Sequence, residues 1–207
     1  MTVVNILRQY PAGSHNTPIL HLARREGYTI RTHEYDLLSN VNGVFGNIAF
    51  ITRALLQMKN EKFVLGAEPF DPLVPLFHRL ARRNDVILHT SWPYWETDFV
   101  PQQPTFRWQR SRWKEFLQDV RAVGVTRASV ESVRRAGASE ATHIPHSIDT
   151  SIYNPNAGTI ECDDPVVLFV GRLEPRKGVA ELIELIEDWN GTDTQFWFVG
   201  DGPLAEN

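Results

Sequence analysis

Short apolar runs alternate with longer amphipathic stretches along most of this chain, and the alternation is its strongest architectural signal. Runs of the VVNIL and KFVLG kind predict strands near residues 3–9, 28–34, 63–67, 86–90, 121–125 and 141–144. Between them, apolar positions recurring at helical spacing predict helices near residues 16–26, 44–58, 72–83, 105–118 and 129–136. Pro69 and Pro72 fall at the start of the third of these helices, where a missing N–H costs little. Strands and helices in such regular alternation place the chain in the α/β class, with a parallel sheet.

The pattern lapses between Pro145 and Pro165, where Pro, Asn, Asp, Ser and Gly dominate. Residues 146–165 therefore read as a linker or crossing segment between a first domain, residues 1–145, and a second, residues 166–207. In the second, a strand from Val166 to Val170 precedes a helix whose Val179, Leu182, Ile183, Ile186 and Trp189 share one face. Glu181, Glu184 and Asp188 face away, and Gly191 is placed to stop the helix. A further strand, Gln195 to Val199, runs into Gly200-Asp201-Gly202-Pro203. One βαβ unit of this size cannot bury both faces of its sheet. It either adds strands to the first sheet or is a fragment of something longer.

With 207 residues, 42% of them hydrophobic and 22% charged, the chain is long enough and apolar enough to bury a core. The net charge of −4 hides an asymmetry: 18 cations face 14 acids up to residue 150, and three cations face eleven acids after it. Neither portion is basic enough to make nucleic acid the main partner. The start, MTVVNILRQY, lacks a long apolar region and a small-residue cleavage site, so no signal peptide is expected. The apolar runs fall far short of the ~20 residues of a spanning helix. Cys162 is the single cysteine, which excludes an internal disulfide and a cysteine-based zinc cluster and suits a cytoplasmic setting.

The three cations after residue 150, Arg172, Arg176 and Lys177, all sit in GRLEPRKG, between a strand and a helix. The carboxyl end of a parallel strand is where α/β sheets bind ligands, and the N–H groups of a helix start favour an anion. A guanidinium fork and an ammonium beside them suit a phosphate or diphosphate. Gly171 and Gly178 let the backbone approach closely. The plainer alternative is that the cations offset Glu174 and the acidic helix.

GRLEPRKG after an apolar strand, followed by VGDGP, resembles the donor-domain signature of GT-B glycosyltransferases, specifically the glycosyl transferase group 1, or family-4, enzymes. AVGVTRASVESVRRAGASEATHIPHSIDTSIYNP is similar to the family's segment that leads across to the second domain. Residues 120–205 carry the resemblance, and residues 1–119 match in layout. It implies a Rossmann-like first domain of GT-B type, followed by an incomplete second Rossmann-like βαβ unit.

The implied activity is transfer of a sugar from a nucleotide-sugar donor to a glycan or lipid-linked acceptor. The resemblance further implies retention of anomeric configuration and no need for a cofactor or catalytic metal, and no Asp-x-Asp triplet occurs in the chain. By the same resemblance Arg172 and Lys177 hold the donor diphosphate and stabilise the departing nucleotide, with Gly171 giving room. Gly13, in Ala12-Gly13-Ser14 after the first strand, occupies the place of a loop that shapes the cleft. His89 matches a histidine near the transferred sugar. Ser147 stands where the family has glycine, so the PHSID turn either takes a positive φ at a cost or differs.

Family members continue into a Glu-x7-Glu stretch that contacts the donor, for which the chain has no counterpart. Weak or no transfer by this polypeptide alone is therefore expected, unless another chain completes the site. The alternative is a truncated or degenerate, non-catalytic relative that acts as a binding or partner subunit. A nicotinamide-dependent oxidoreductase fares worse, because no G-x-G-x-x-G follows the first strand, and a G-x-S-x-G hydrolase elbow is absent.

Two aromatic segments remain. Trp92, Tyr94 and Trp95 either stack on a sugar or lipid, or belong to the core. In TFRWQRSRWKEFLQD, Phe106, Trp113, Phe116 and Leu117 share a face opposite Arg107, Arg110 and Lys114. The basic side is either simply solvated or drawn to anionic lipid headgroups, a peripheral contact at the inner face of the membrane.

Overall fold

The computed structural model describes residues 3–8, 23–34, 57–69, 71, 73–95, 107–148 and 150–205, apart from 152, 157, 159 and 192. The expected helix at 44–58, most of that at 16–26, and Gly13 lie outside the described residues. The chain forms two compact units, Met1–Asp149 and Thr150–Asn207.

In the first unit, strands β1 (Val3–Arg8), β2 (Thr29–Glu34), β3 (Lys62–Gly66), β4 (Asp85–Thr90), β5 (Arg121–Gly124) and β6 (Glu140–His143) form one sheet. All five pairings are parallel, in the order β2-β1-β3-β4-β5-β6. The unit is an α/β fold with Rossmann-like layout. Because β2 and β3 flank β1 on opposite sides, the strand order reverses there, and such a reversal opens a crevice at the carboxyl ends of the strands.

Helices α1 (Val74–Ala81), α2 (Arg107–Asp119) and α3 (Arg127–Arg135) lie near the expected places. Phe63 and Leu65 of β3 and Val86 and Leu88 of β4 are buried, while Val64, Ile87 and His89, which alternate with them, are half-buried. The buried face packs with Phe77 of α1 and with Trp113, Phe116 and Leu117 of α2. Trp113 meets Phe77, Trp95 and Phe116 at ring-centroid distances of 6.1, 5.0 and 5.3 Å.

The start of α3 is fixed locally by Thr126, whose hydroxyl accepts from the Ser129 N–H at 3.0 Å while the Ser129 hydroxyl accepts from the Thr126 N–H at 3.1 Å. Gly124 lets β5 run close beneath this turn, since a Cβ there would stand 2.6 Å from Val130 Cγ2. Asn5, fully buried in β1, donates to Glu61 Oε2 at 2.7 Å, and its Oδ1 lies 3.1 Å from His33 Nε2. Burial, with Arg31 nearby, pushes the His33 imidazole below its ordinary pKa, against a smaller opposing pull from Glu61.

The second unit holds β7 (Val166–Val170), the 3-10 turn Pro175–Lys177, α4 (Val179–Glu187) and β8 (Gln195–Val199). β7 and β8 pair in parallel as a separate two-stranded sheet, so the expected alternative of extra strands on the first sheet is not what forms. Gly191 is not the stop of α4, because the helix ends one turn earlier with Asp188 as its right-handed C-cap. Trp189, assigned to the packed face, is 49% exposed, although its ring meets Phe196 at 5.9 Å.

Candidate functional site

In the first unit the carboxyl ends of β3 and β4 bring chemistry together. His89 of β4 is half-buried and lies opposite Gly66 in the register. Its ring meets that of His146, in the loop after β6, at 6.4 Å edge to face. Two residues beyond Gly66 stands Glu68, half-buried, with one oxygen bonded by the Trp92 indole N–H and the other buried without a partner. Burial pushes the Glu68 carboxyl above its ordinary pKa, and the neighbouring charge of Asp71 pushes the same way, while the Trp92 hydrogen bond opposes them. Asp71 is fully buried and accepts from the Leu73 N–H at 2.8 Å, so part of its role is to hold the entry to α1.

The loop after β4 is shaped by Thr90, whose buried hydroxyl accepts from the Trp92 N–H at 3.1 Å and from Trp95 Nε1 at 2.9 Å. The Trp95 N–H donates to Ser132 Oγ at 2.6 Å. Trp95 is thus core, whereas Trp92 is half-buried against the core and Tyr94, whose ring meets that of Trp92 at 6.2 Å, is 40% exposed. Ser147 has no positive φ, so the turn differs and no strain arises there.

In the second unit the cationic loop follows the carboxyl end of β7. The β7–β8 ladder continues into it: the Gly171 N–H donates to Val199 O, and the Leu173 N–H to Asp201 O, both at 3.0 Å. Glycines make this approach feasible, since a Cβ on Gly200 would fall 1.7 Å from Gly171 O and one on Gly202 2.3 Å from Leu173 O. Gly171 itself is less confined by the protein, since an added Cβ would meet Phe169 at 3.4 Å. Gly178, at φ +70°, turns the chain from the 3-10 segment into α4.

Glu174 governs the side chains of this loop. Its carboxylate is 14% exposed and pairs through Oε2 with Arg172 Nε at 3.3 Å and through Oε1 with Arg176 Nε. The two guanidinium side chains remain 71% and 64% exposed. Lys177 is exposed and makes no ion pair among the described residues. The first N–H groups of α4 have no side-chain cap.

The structure therefore brings Arg172, Lys177 and Gly171 into one loop, and it places His89 near the carboxyl end of an interior strand in the other unit. Sequence reasoning missed Glu68 and the anchoring role of Glu174. A signal for the first was present in GAEPFDP, where two acids, each followed by a proline, come just after a strand end. Among the described residues, no group of three or more His, Cys, Asp or Glu side chains is placed to hold a metal ion. No described helix is long and apolar enough to cross a membrane. Comparisons with protein-family models and with curated proteins found no match to this chain.

Proposed function

We propose that the chain is a sugar-nucleotide-dependent transferase of GT-B type, whose second unit binds the donor diphosphate. The observation that carries this reading is the cationic loop. It stands at the carboxyl end of a parallel strand, beside an uncapped helix start, and Glu174 anchors two guanidiniums while leaving most of each exposed. In the reaction, the bond between the anomeric carbon and the diphosphate oxygen breaks and an acceptor oxygen bonds to that carbon. Arg172 and Lys177 stabilise the charge left on the diphosphate, the role in which fixed cations contribute most.

The first unit takes the acceptor side. His89 is a hydrogen-bonding partner for sugar hydroxyls, Trp92 and Tyr94 are stacking surfaces, and Glu68, with its raised pKa, is an acceptor for the hydroxyl proton. The acceptor class is a glycan or a lipid-linked sugar, and the setting is cytoplasmic, with peripheral contact at the inner membrane face.

One observation favours a second reading, a non-catalytic binding protein of the same layout: Glu174 already supplies an internal counter-charge to both arginines. Incubation of the full chain with a panel of nucleotide-sugars, following nucleoside diphosphate release, separates the two. The transferase reading expects release above buffer that is lost in Arg172→Ala. Saturable binding of a nucleotide-sugar without any release would instead establish the binding protein.

A further inference from the structure

The first unit carries an open cleft that neither candidate site uses. It measures about 560 Å³ and is lined by Pro75, His78, Arg79, Arg82, Arg83 and Arg112, from α1, the two residues that follow it and α2. Four of these described lining residues are arginines and none is acidic, so the walls favour negative charge.

Part of that charge is already matched. Arg112 pairs with Glu115 at 2.9 Å, and His78 Nε2 lies 2.7 Å from Asp119 Oδ2, a contact that ties α1 to α2. Arg83 also has a partner. Arg79 and Arg82 differ: both are exposed, and neither side chain makes an ion pair or a hydrogen bond among the described residues. Three residues apart, in and just past the last turn of α1, they are neighbours on one face. Like charges so placed repel each other, and an anion between them removes the repulsion. The carboxyl end of α1 carries about half a negative charge, which offsets only part of two cations.

We propose that Arg79 and Arg82 bind a compact anion with at least two negative charges, a diphosphate or phosphate monoester group, either free or carried on a lipid headgroup. Guanidinium forks match the oxygens of such a group in pairs. Arg83 and Arg112 keep their partners and add only to the field of the cleft. Pro75 is the one apolar residue among the described lining, so the charged group itself is what the cleft recognises. The site belongs wholly to the first unit.

Pyrophosphate titrated calorimetrically into the full chain carrying Arg172→Ala/Lys177→Ala, which takes the loop of the second unit out of play, tests the proposal. Saturable binding with a dissociation constant of about 1 mM or tighter is expected, and adding Arg79→Gln/Arg82→Gln should weaken it about tenfold or more. Both side chains are exposed, so these substitutions leave the core untouched. Arg24→Gln/Arg25→Gln removes the same charge from exposed residues outside the cleft and should leave binding unchanged. Sedimentation with phosphatidylcholine vesicles, with and without phosphatidic acid, identifies the source. Capture by phosphatidic acid that Arg79→Gln/Arg82→Gln abolishes, with no binding of free pyrophosphate, makes the ligand a headgroup. The proposal is overturned if neither pyrophosphate up to about 10 mM nor phosphatidic acid binds with saturation. It is equally overturned if Arg79→Gln/Arg82→Gln binds as its parent does, or if the charge-matched pair loses as much. With the loop already disabled, none of these outcomes depends on the donor reading of the second unit.

Discussion

The two units begin from the same sequence pattern and end with different cores. In the first, Phe63, Leu65, Val86 and Leu88 of the central strands lie beneath helices that bury Phe77, Phe116 and Leu117. In the second, Leu168, Val170 and Val199, on strands just as apolar, are 55%, 69% and 53% exposed. Among the described residues, Val179 and Leu173 are the well-buried apolar side chains there. An apolar run therefore establishes that a strand forms, and the number of layers around it decides whether its side chains contribute to stability. What orders the second unit is backbone hydrogen bonding between its loops, made possible by glycine.

That contrast can be broken by substitution. The largest effect is expected in the first core: Phe116→Ala should remove about 3–5 kcal/mol in urea unfolding, whereas Val170→Ala in the second unit should stay within about 0.5 kcal/mol. A comparable loss from both would mean the second unit is as well packed as the first. Next in size is Gly200→Ala, which places a methyl into Gly171 O and should cost about 1–3 kcal/mol, seen as faster amide exchange along residues 171–173. Unchanged exchange there would show that the glycine is not what permits the approach.

Helix starts sharpen the comparison further. α3 has a reciprocal side-chain cap and α4 has none, so Thr126→Ala should cost about 1 kcal/mol. A neutral result in a thermal melt would remove the local signal credited with fixing α3. The smallest effect concerns Glu68. Its folded pKa is raised, so the fold disfavours the carboxylate, and this cost is fully present above the folded pKa and fades as pH falls toward the ordinary carboxylate range. Glu68→Gln should thus raise the melting temperature near about pH 8 and lose that advantage near about pH 4. An equal effect at both would point to packing instead of charge.

Most of this architecture was legible in the sequence. All eight described strands fall within a residue or so of their apolar runs, because an apolar stretch flanked by polar turns is a local signal. Side-chain roles were harder to read wherever the partner is distant in sequence. Trp95 could not be separated from Trp92 and Tyr94 without Ser132, 37 residues away, which takes its N–H. The buried Asn5 joins Glu61, 56 residues away, to the half-buried His33. In the loop after β7 the residue types were evident, but the shared carboxylate of Glu174 follows from a fold of the loop that charge counting alone does not give. Gly200 and Gly202 stood out in VGDGP, yet their steric reason lies in a loop some thirty residues earlier.

The central claim is that the loop after β7 reads a diphosphate through Arg172 and Lys177. Calorimetric titration of uridine, guanosine and adenosine diphosphates into the parent chain and into Arg172→Ala/Lys177→Ala tests it most directly. At least one diphosphate should bind the parent with saturation, and the double variant should lose about a hundredfold in affinity, the equivalent of two charge-assisted hydrogen bonds. Equal binding by both chains, or no binding by either, would contradict it.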